Sequence, residues 1–226
     1  MEMSVARVTT TKKNSRHTAP ARRYDPEKTR RNILAVATKE FARDGFNGAR
    51  IDSIAARTST TKRMIYYYFG GKERLYISVL EQEYANIREA EAGLHLDLLP
   101  PEQAIRRLTE FTFDYDHANP NFVRLVAVEN IHHAKHLSKS RRIREVNATI
   151  VGTIARILRR GRRDGSFRSN VRAVDVHMLM SALCFFHVSN LHTFGTIFGR
   201  DLLSPGVRKT HKKLVADFIV HMLTRA

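Results

Sequence analysis

The chain has 226 residues, with 39 Lys plus Arg against 22 Asp plus Glu and a formal net charge of +17, a length that allows one domain or two small ones. Apolar residues make up 42%, which is ordinary for a globular protein and excludes a wholly disordered polycation. One cysteine, Cys184, excludes an intrachain disulfide framework and a Cys-rich zinc site, and fits a reducing, cytoplasmic compartment.

Residues 1–25 carry Arg7, Lys12, Lys13, Arg16, Arg22 and Arg23 with almost no large apolar residues. Burial there cannot offset the entropy of ordering, so a loose basic arm is expected. The opening "MEMSVARVTTTKKNSRH" also lacks the apolar centre of a signal peptide. From Pro26 the pattern changes: Ile33, Leu34, Ala37 and Phe41 recur at helical spacing, and Gly45 followed by Phe46 gives a stop signal. Ile51, Ile54 and Ala55 make a second short apolar face, and "TSTT" at 58–61 suits a turn and the N-cap of a third helix. Three short helices are predicted between 27 and 69.

The third of these contains Tyr66, Tyr67 and Tyr68 in a row. Successive helical residues point about 100° apart, so the three cannot share one buried face. With Thr61 as origin, Ile65, Phe69 and Tyr68 fall on its side, while Lys62, Arg63, Tyr66 and Tyr67 cover the opposite side. That outward face is cationic and phenolic. It offers donors for phosphate oxygens, a guanidinium for guanine edges, and aromatic planes for sugars or thymine methyls. Lys72, just past Gly70 and Gly71, starts the next helix, where its ammonium and the free backbone N–H groups can hold a phosphate. A helix at 51–58, a tight polar turn and an outward-facing helix at 61–69 match a helix-turn-helix, whose second helix enters the major groove of DNA.

The remainder also reads as helix, over 72–92, 102–117, 121–136, 139–163, 172–197 and 206–224, with no persistent strand alternation. The fold class is therefore all-α. In the last segment Val207, Leu214, Val215, Phe218, Ile219 and Met222 form a stripe opposite Arg208, Lys209, Lys212 and Lys213. Residues 174–188 are apolar almost all round, so this helix needs cover on two sides, from the chain's own core alone or with a second subunit. Asp175, His177 and His187 make it too polar to span a membrane, and no membrane partner is expected.

In "ENIHHAKH", Glu129 with His133 and His132 with His136 are i,i+4 pairs on the predicted helix, a spacing that suits a divalent metal. The two pairs point in adjacent directions and neither completes a four-ligand set, so a structural or ligand-gating role is assigned and no metal or other cofactor is expected. The chain has no nucleophile elbow, phosphate loop or dinucleotide fingerprint, which argues against an enzyme. The helices at 102–117, 121–136 and 172–197 are expected to gather Phe113, His117, Phe122, Glu129, His133, Met180, Cys184 and His187. An apolar lining with a few polar groups of this kind suits a small-molecule pocket, where the ligand partners the buried Glu and His.

The stretch "RIDSIAARTSTTKRMIYYYFGGKERLY" at 50–76 resembles the N-terminal module of the TetR family of transcriptional regulators. The marks are Phe41, Gly45 and Phe46 ahead of it, then Ile54, Ala55, Ile65, Tyr66, Phe69, Lys72, Glu73 and Leu75. The resemblance covers about 26–80 and implies a homodimeric repressor, on a palindromic double-stranded DNA operator, released by a small-molecule effector. It implies a helix-turn-helix DNA-binding domain at 26–71 and a helical ligand-binding and dimerisation domain at 72–226, dimerising through 172–197 and 206–224. DNA-contact roles carried over by position fall on Arg50, Thr61, Lys62, Arg63, Met64, Tyr66, Tyr67 and Lys72. The chain departs from the family pattern at Ser59 and Thr60, where Gly-Val is common, and at Arg63, where a small residue is common. The alternative from another class is a basic helical adaptor that binds anionic partners without reading sequence.

Overall fold

A computed structural model describes residues 25–168 and 170–224; the basic arm, Asp25 apart, lies outside the described residues. Among the described residues the chain forms ten α-helices, and the one β-bridge joins Phe167 to Thr224. Helix α1 (Pro26–Gly48) starts where the Asp25 carboxylate accepts the Lys28 N–H at 3.0 Å and Pro26 occupies a first-turn position that needs no N–H. At Gly45, with φ 68°, the path leaves the helix as the sequence suggests, yet the chain adds a further turn to Gly48.

Helices α2 (Ile51–Arg57) and α3 (Lys62–Phe69) follow. The turn between them is held by the Thr58 hydroxyl donating to the Ile54 carbonyl at 2.8 Å and the Thr60 N–H donating to Ala55 O at 3.2 Å. Ser59 sits at φ 52°, the left-handed region that a Cβ disfavours and glycine enters freely. Ser59→Gly is therefore expected to raise unfolding stability by about 0.5–1 kcal/mol, the relieved strain exceeding glycine's added chain entropy. Urea denaturation measures it, and an unchanged or lower midpoint would contradict strain at this position.

Helix α4 (Lys72–Ala92) is followed by α5 (Pro101–Ala118), α6 (Pro120–Ile131), α7 (Arg141–Arg163), α8 (Ala173–Ser189), α9 (Leu191–Phe198) and α10 (Pro205–Leu223). The early part of α4 completes the core of the N-terminal module: Leu75, Tyr76, Val79 and Leu80 bury against Ile33, Phe41, Ile54, Ile65 and Phe69. Leu125 of α6 and Ile143 of α7 join the same core, so the module is seated on the C-terminal helices. A second core gathers Ile105, Leu108, Ile154, Ile157, Phe167, Val176, Met180 and Ile219 from α5, α7, α8, α10 and the α7–α8 connection. Phe167 packs on α7 at Gly161, where a Cβ would collide with its ring.

Two helices expected from periodicity end early. The segment 121–136 stops as α6 at Ile131, because the Glu129 carboxylate draws the following chain back over the helix end. It accepts the His136 and Leu137 N–H groups at 3.1 and 2.8 Å and meets His136 Nδ1 at 3.0 Å, while His133 and Ala134 both adopt φ 56°. The i,i+4 pairing of Glu129 with His133 and of His132 with His136 is thereby lost, and His132 and His133 lie exposed. Among the described residues no group of three or more His, Cys, Asp or Glu could hold a metal ion. The segment 172–197 breaks at Asn190 into α8 and α9, bent by 67°; Asn bonds readily to local groups and is a poor helix interior. Among the described residues no single helix is long and apolar enough to cross a membrane.

Candidate nucleic-acid interface

The recognition helix is α3. Ile65 and Phe69 are fully or almost fully buried beneath it, whereas Tyr66 is 45% and Tyr67 79% exposed. Lys62 and Arg63 are also exposed, Met64 and Tyr68 are half-buried, and Arg50 stands exposed at the N-cap of α2. Thr61 caps α3, its hydroxyl oxygen accepting the Met64 N–H at 3.2 Å, which leaves the hydroxyl proton free to donate to a phosphate. Lys62 pairs with exposed Asp52 at 3.0 Å, a contact weak enough for a phosphate to displace. Lys72, at the first turn of α4, donates to the Asn47 carbonyl at 3.2 Å and lies 5.0 Å over the Phe46 ring. Burial lowers its pKa from the usual lysine value; the ammonium has two further N–H donors for an anion. The eight residues singled out in the sequence lie at the N-cap of α2, at the N-cap and along α3, and at the start of α4, and none of them is buried.

On the last three helices, apolar side chains face outward. Val174, Met178, Leu183 and Phe186 of α8, Ile197 and Phe198 of α9, and Leu214 and Phe218 of α10 are all exposed, Phe218 by 55%. Leu183, Leu214, Val215 and Phe218 line a shallow groove of about 620 Å³ between α8 and α10. The stripe on α10 is therefore divided: Ala216, Ile219, Val220 and Leu223 bury inward while Leu214 and Phe218 point out.

The eight residues expected to share a pocket separate into different surroundings. Phe113, Met180 and Cys184 are buried, with Cys184 Sγ 3.8 Å from the Thr109 carbonyl. His117 and His187 belong to a chain of three imidazoles across α5, α8 and α10: His117 Nε2 to His187 Nδ1 at 2.9 Å and His187 Nε2 to His211 Nδ1 at 2.9 Å. His187 spends both ring nitrogens on opposite neighbours, so the three cannot converge on one metal. Burial pushes His117 and His187 down to about 4, which keeps both rings neutral near pH 7. Glu129 is buried at the seat of the N-terminal module beside His136, whose ring packs on Phe46 and Tyr76. His133 is exposed on the turn past α6. The shared interior expected for Glu129 and His133 is not formed, since the helix that was to carry both ends between them.

Phe122 does line a cavity, one of about 170 Å³ between α4, α5, α6, α7 and α8, together with Tyr84, Arg88, Glu91, Asp116, His177 and Phe185. Arg88 and Glu91 also line a neighbouring cleft of about 280 Å³, so they are common to both. Their side chains are only 10% and 6% exposed, with Arg88 Nη1 2.8 Å from Glu91 Oε2. Neither Nη1 nor Nε of Arg88 has an acceptor in hydrogen-bond geometry. Burial drives Glu91 up to about 7 against the opposing charge of Arg88, with Asp116 adding to the rise, and burial likewise drives Asp116 up to about 7. His177 is pushed down to about 4 by burial and by the Arg88 charge. These residues escaped the sequence reading. The available signal was Tyr84, Ile87, Arg88 and Glu91 at helical spacing, two charges on an otherwise apolar stripe.

Comparison with known proteins matches this architecture over both halves of the chain. Residues 33–79 match the model described as bacterial regulatory proteins, tetR family, and residues 101–219 match the tetracyclin repressor-like C-terminal domain. The HTH-type transcriptional repressor NicS of Pseudomonas putida is 39% identical over 204 residues, covering 90% of this chain and 96% of that protein. The HTH-type transcriptional repressor SCO4008 of Streptomyces coelicolor is 30% identical over 197 residues, covering 84% and 97%. Among solved structures, the transcriptional regulator SCO4942 of Streptomyces coelicolor superposes with a TM-score of 0.66 at 27% identity, covering 88% of this chain and 99% of that one. With the helix-turn-helix, its outward cationic face and the all-helical C-terminal body matched along nearly the whole chain, the protein belongs to the TetR family of DNA-binding transcriptional regulators.

Proposed function

We propose that the protein is a homodimeric repressor that holds a palindromic operator through α3 and releases it when a small molecule enters the cavity beside Arg88. The observation that carries the release mechanism is the course of α4. One end of this 21-residue helix is built into the core of the DNA-binding module through Leu75, Tyr76, Val79 and Leu80, and the other supplies Arg88 and Glu91 to the cavity. A helix of that length spans roughly 30 Å. A ligand that favours a different α4 position changes the spacing of the two recognition helices, provided it binds that state more tightly. The exposed apolar faces of α8 and α10 supply the self-complementary patch that a two-fold dimer needs.

Selection of bound duplexes from a random pool gives the operator, and gel shifts at fixed salt then compare it with random DNA. A regulator of this kind prefers the selected palindrome strongly, whereas equal affinity for both would leave only a basic adaptor. On the operator, Tyr66→Phe and Lys72→Ala are expected to weaken binding by about 1 kcal/mol or more each, and similarly on all duplexes, because they remove phosphate contacts. Arg63→Ala is expected instead to relax preference at one base position in each half-site, by about 1–3 kcal/mol of discrimination. If all three folded variants bind as the parent does, the interface lies elsewhere.

A further inference from the structure

The cavity beside α4 holds a buried cation whose hydrogen bonds are incomplete. Arg88 is nine-tenths buried, and its Nε and Nη1 lack hydrogen-bond acceptors although Glu91 lies within charge contact. A buried guanidinium stays charged, and donors left without acceptors are costly away from water. The neighbouring walls are aromatic: Tyr84 meets Phe122 edge-on at 5.3 Å, and Phe185 closes another side. At about 170 Å³ the space is close to the roughly 150 Å³ cavity that accommodates benzene. A neighbouring cleft shares Arg88 and Glu91 with it.

We propose that the cavity takes a small carboxylate built on one ring, with a carboxylate oxygen accepting from the unpartnered N–H groups of Arg88 and the ring held among Tyr84, Phe122 and Phe185. This rests on the reading of the cavity as the effector site. Charge supports an anion. Arg88 faces Glu91 and Asp116, and burial drives both acids up to about 7, so each can stand protonated and donate rather than repel. A cationic ligand would satisfy the acids and leave the guanidinium donors unanswered. A neutral amide offers Arg88 an acceptor, but the bond carries one charge where a carboxylate supplies two and can pair with the guanidinium through both oxygens.

The test uses the full-length protein, with benzoate and its three monohydroxy isomers as acids, the corresponding amides as neutral matches, and benzylamine as the cation. Calorimetric titration is expected to show at least one acid binding about tenfold or more tightly than its own amide, with benzylamine weaker than both. Arg88→Gln is expected to bring that acid and its amide within about twofold of each other. The acid-to-amide ratio in the unaltered protein decides the matter even if this variant fails to fold. No acid preferred over its amide, or benzylamine bound most tightly, overturns the inference, as does a preference that survives Arg88→Gln in a folded protein. Gel shifts on the selected operator separate the two readings. Acid binding that depends on Arg88 but leaves DNA bound removes the effector reading while the carboxylate site stands. DNA release by an amide or amine, undiminished in Arg88→Gln, removes the carboxylate site while the effector reading stands.

Discussion

Phe218→Glu is expected to yield a folded monomer. Phe218 is 55% exposed on α10, across the groove from Leu183 of α8, so in a single chain the new carboxylate meets water and leaves the core intact. Between two chains related by a two-fold axis, the same change places a carboxylate in an apolar seam from each side. Leaving a buried charge unpaired costs about 3–5 kcal/mol, which weakens the dimer by at least about a hundredfold. Sedimentation velocity reads the mass and circular dichroism the fold. An unchanged dimer would place the interface elsewhere, and an unfolded chain would contradict the outward position of Phe218. A monomer also loses simultaneous hold on two half-sites, so operator affinity is expected to fall with dimerisation.

Removing the Glu129 carboxylate is expected to be the most destabilising single change at the seat of the DNA-binding module. Glu129 is 2% exposed and accepts the His136 and Leu137 backbone N–H groups and meets the His136 ring. Glu129→Ala leaves these donors buried without acceptors, at about 1–3 kcal/mol each and less than additively, for an expected loss of about 2–4 kcal/mol in urea denaturation. Glu129→Gln keeps one acceptor oxygen and is expected to lose less. Burial raises the Glu129 pKa, but the Leu137 N–H, the His136 ring and the His136 N–H outweigh it and hold the carboxylate below the usual glutamate range. Its contribution is thus fully present above the ordinary glutamate pKa and lost as pH falls through the lower folded value, so the difference between Glu129→Ala and the parent is expected to shrink on acidification. A variant as stable as the parent at neutral pH would refute the role. His136 packs on Phe46 at 4.3 Å and on Tyr76 at 5.0 Å between ring centroids. Loosening this turn is therefore expected to weaken operator binding through misplacement of α1 and α4, an effect opposite in kind to blunted ligand response.

The sequence by itself determined the all-helical class, the helix-turn-helix and the side of α3 that faces outward. Each depends on groups within about one or two helical turns: the N-cap at Thr61, the turn at 58–61, and the spacing of Ile65 and Phe69 that forces Tyr66 and Tyr67 to the surface. It also marked the apolar character of 174–188, leaving open whether core or subunit covers it. Only the tertiary structure decided which way Leu214 and Phe218 turn, and it stopped α6 at Ile131, where a side-chain carboxylate competes for N–H groups seven and eight residues ahead. Only the tertiary structure brought Arg88 of α4, Asp116 of α5 and His177 of α8 around one cavity while sending Glu129 and His133 to another place. Periodicity fixes the face a residue occupies on its own helix. The partner that face meets depends on how distant helices pack, and a cavity is the space left where that packing fails to close.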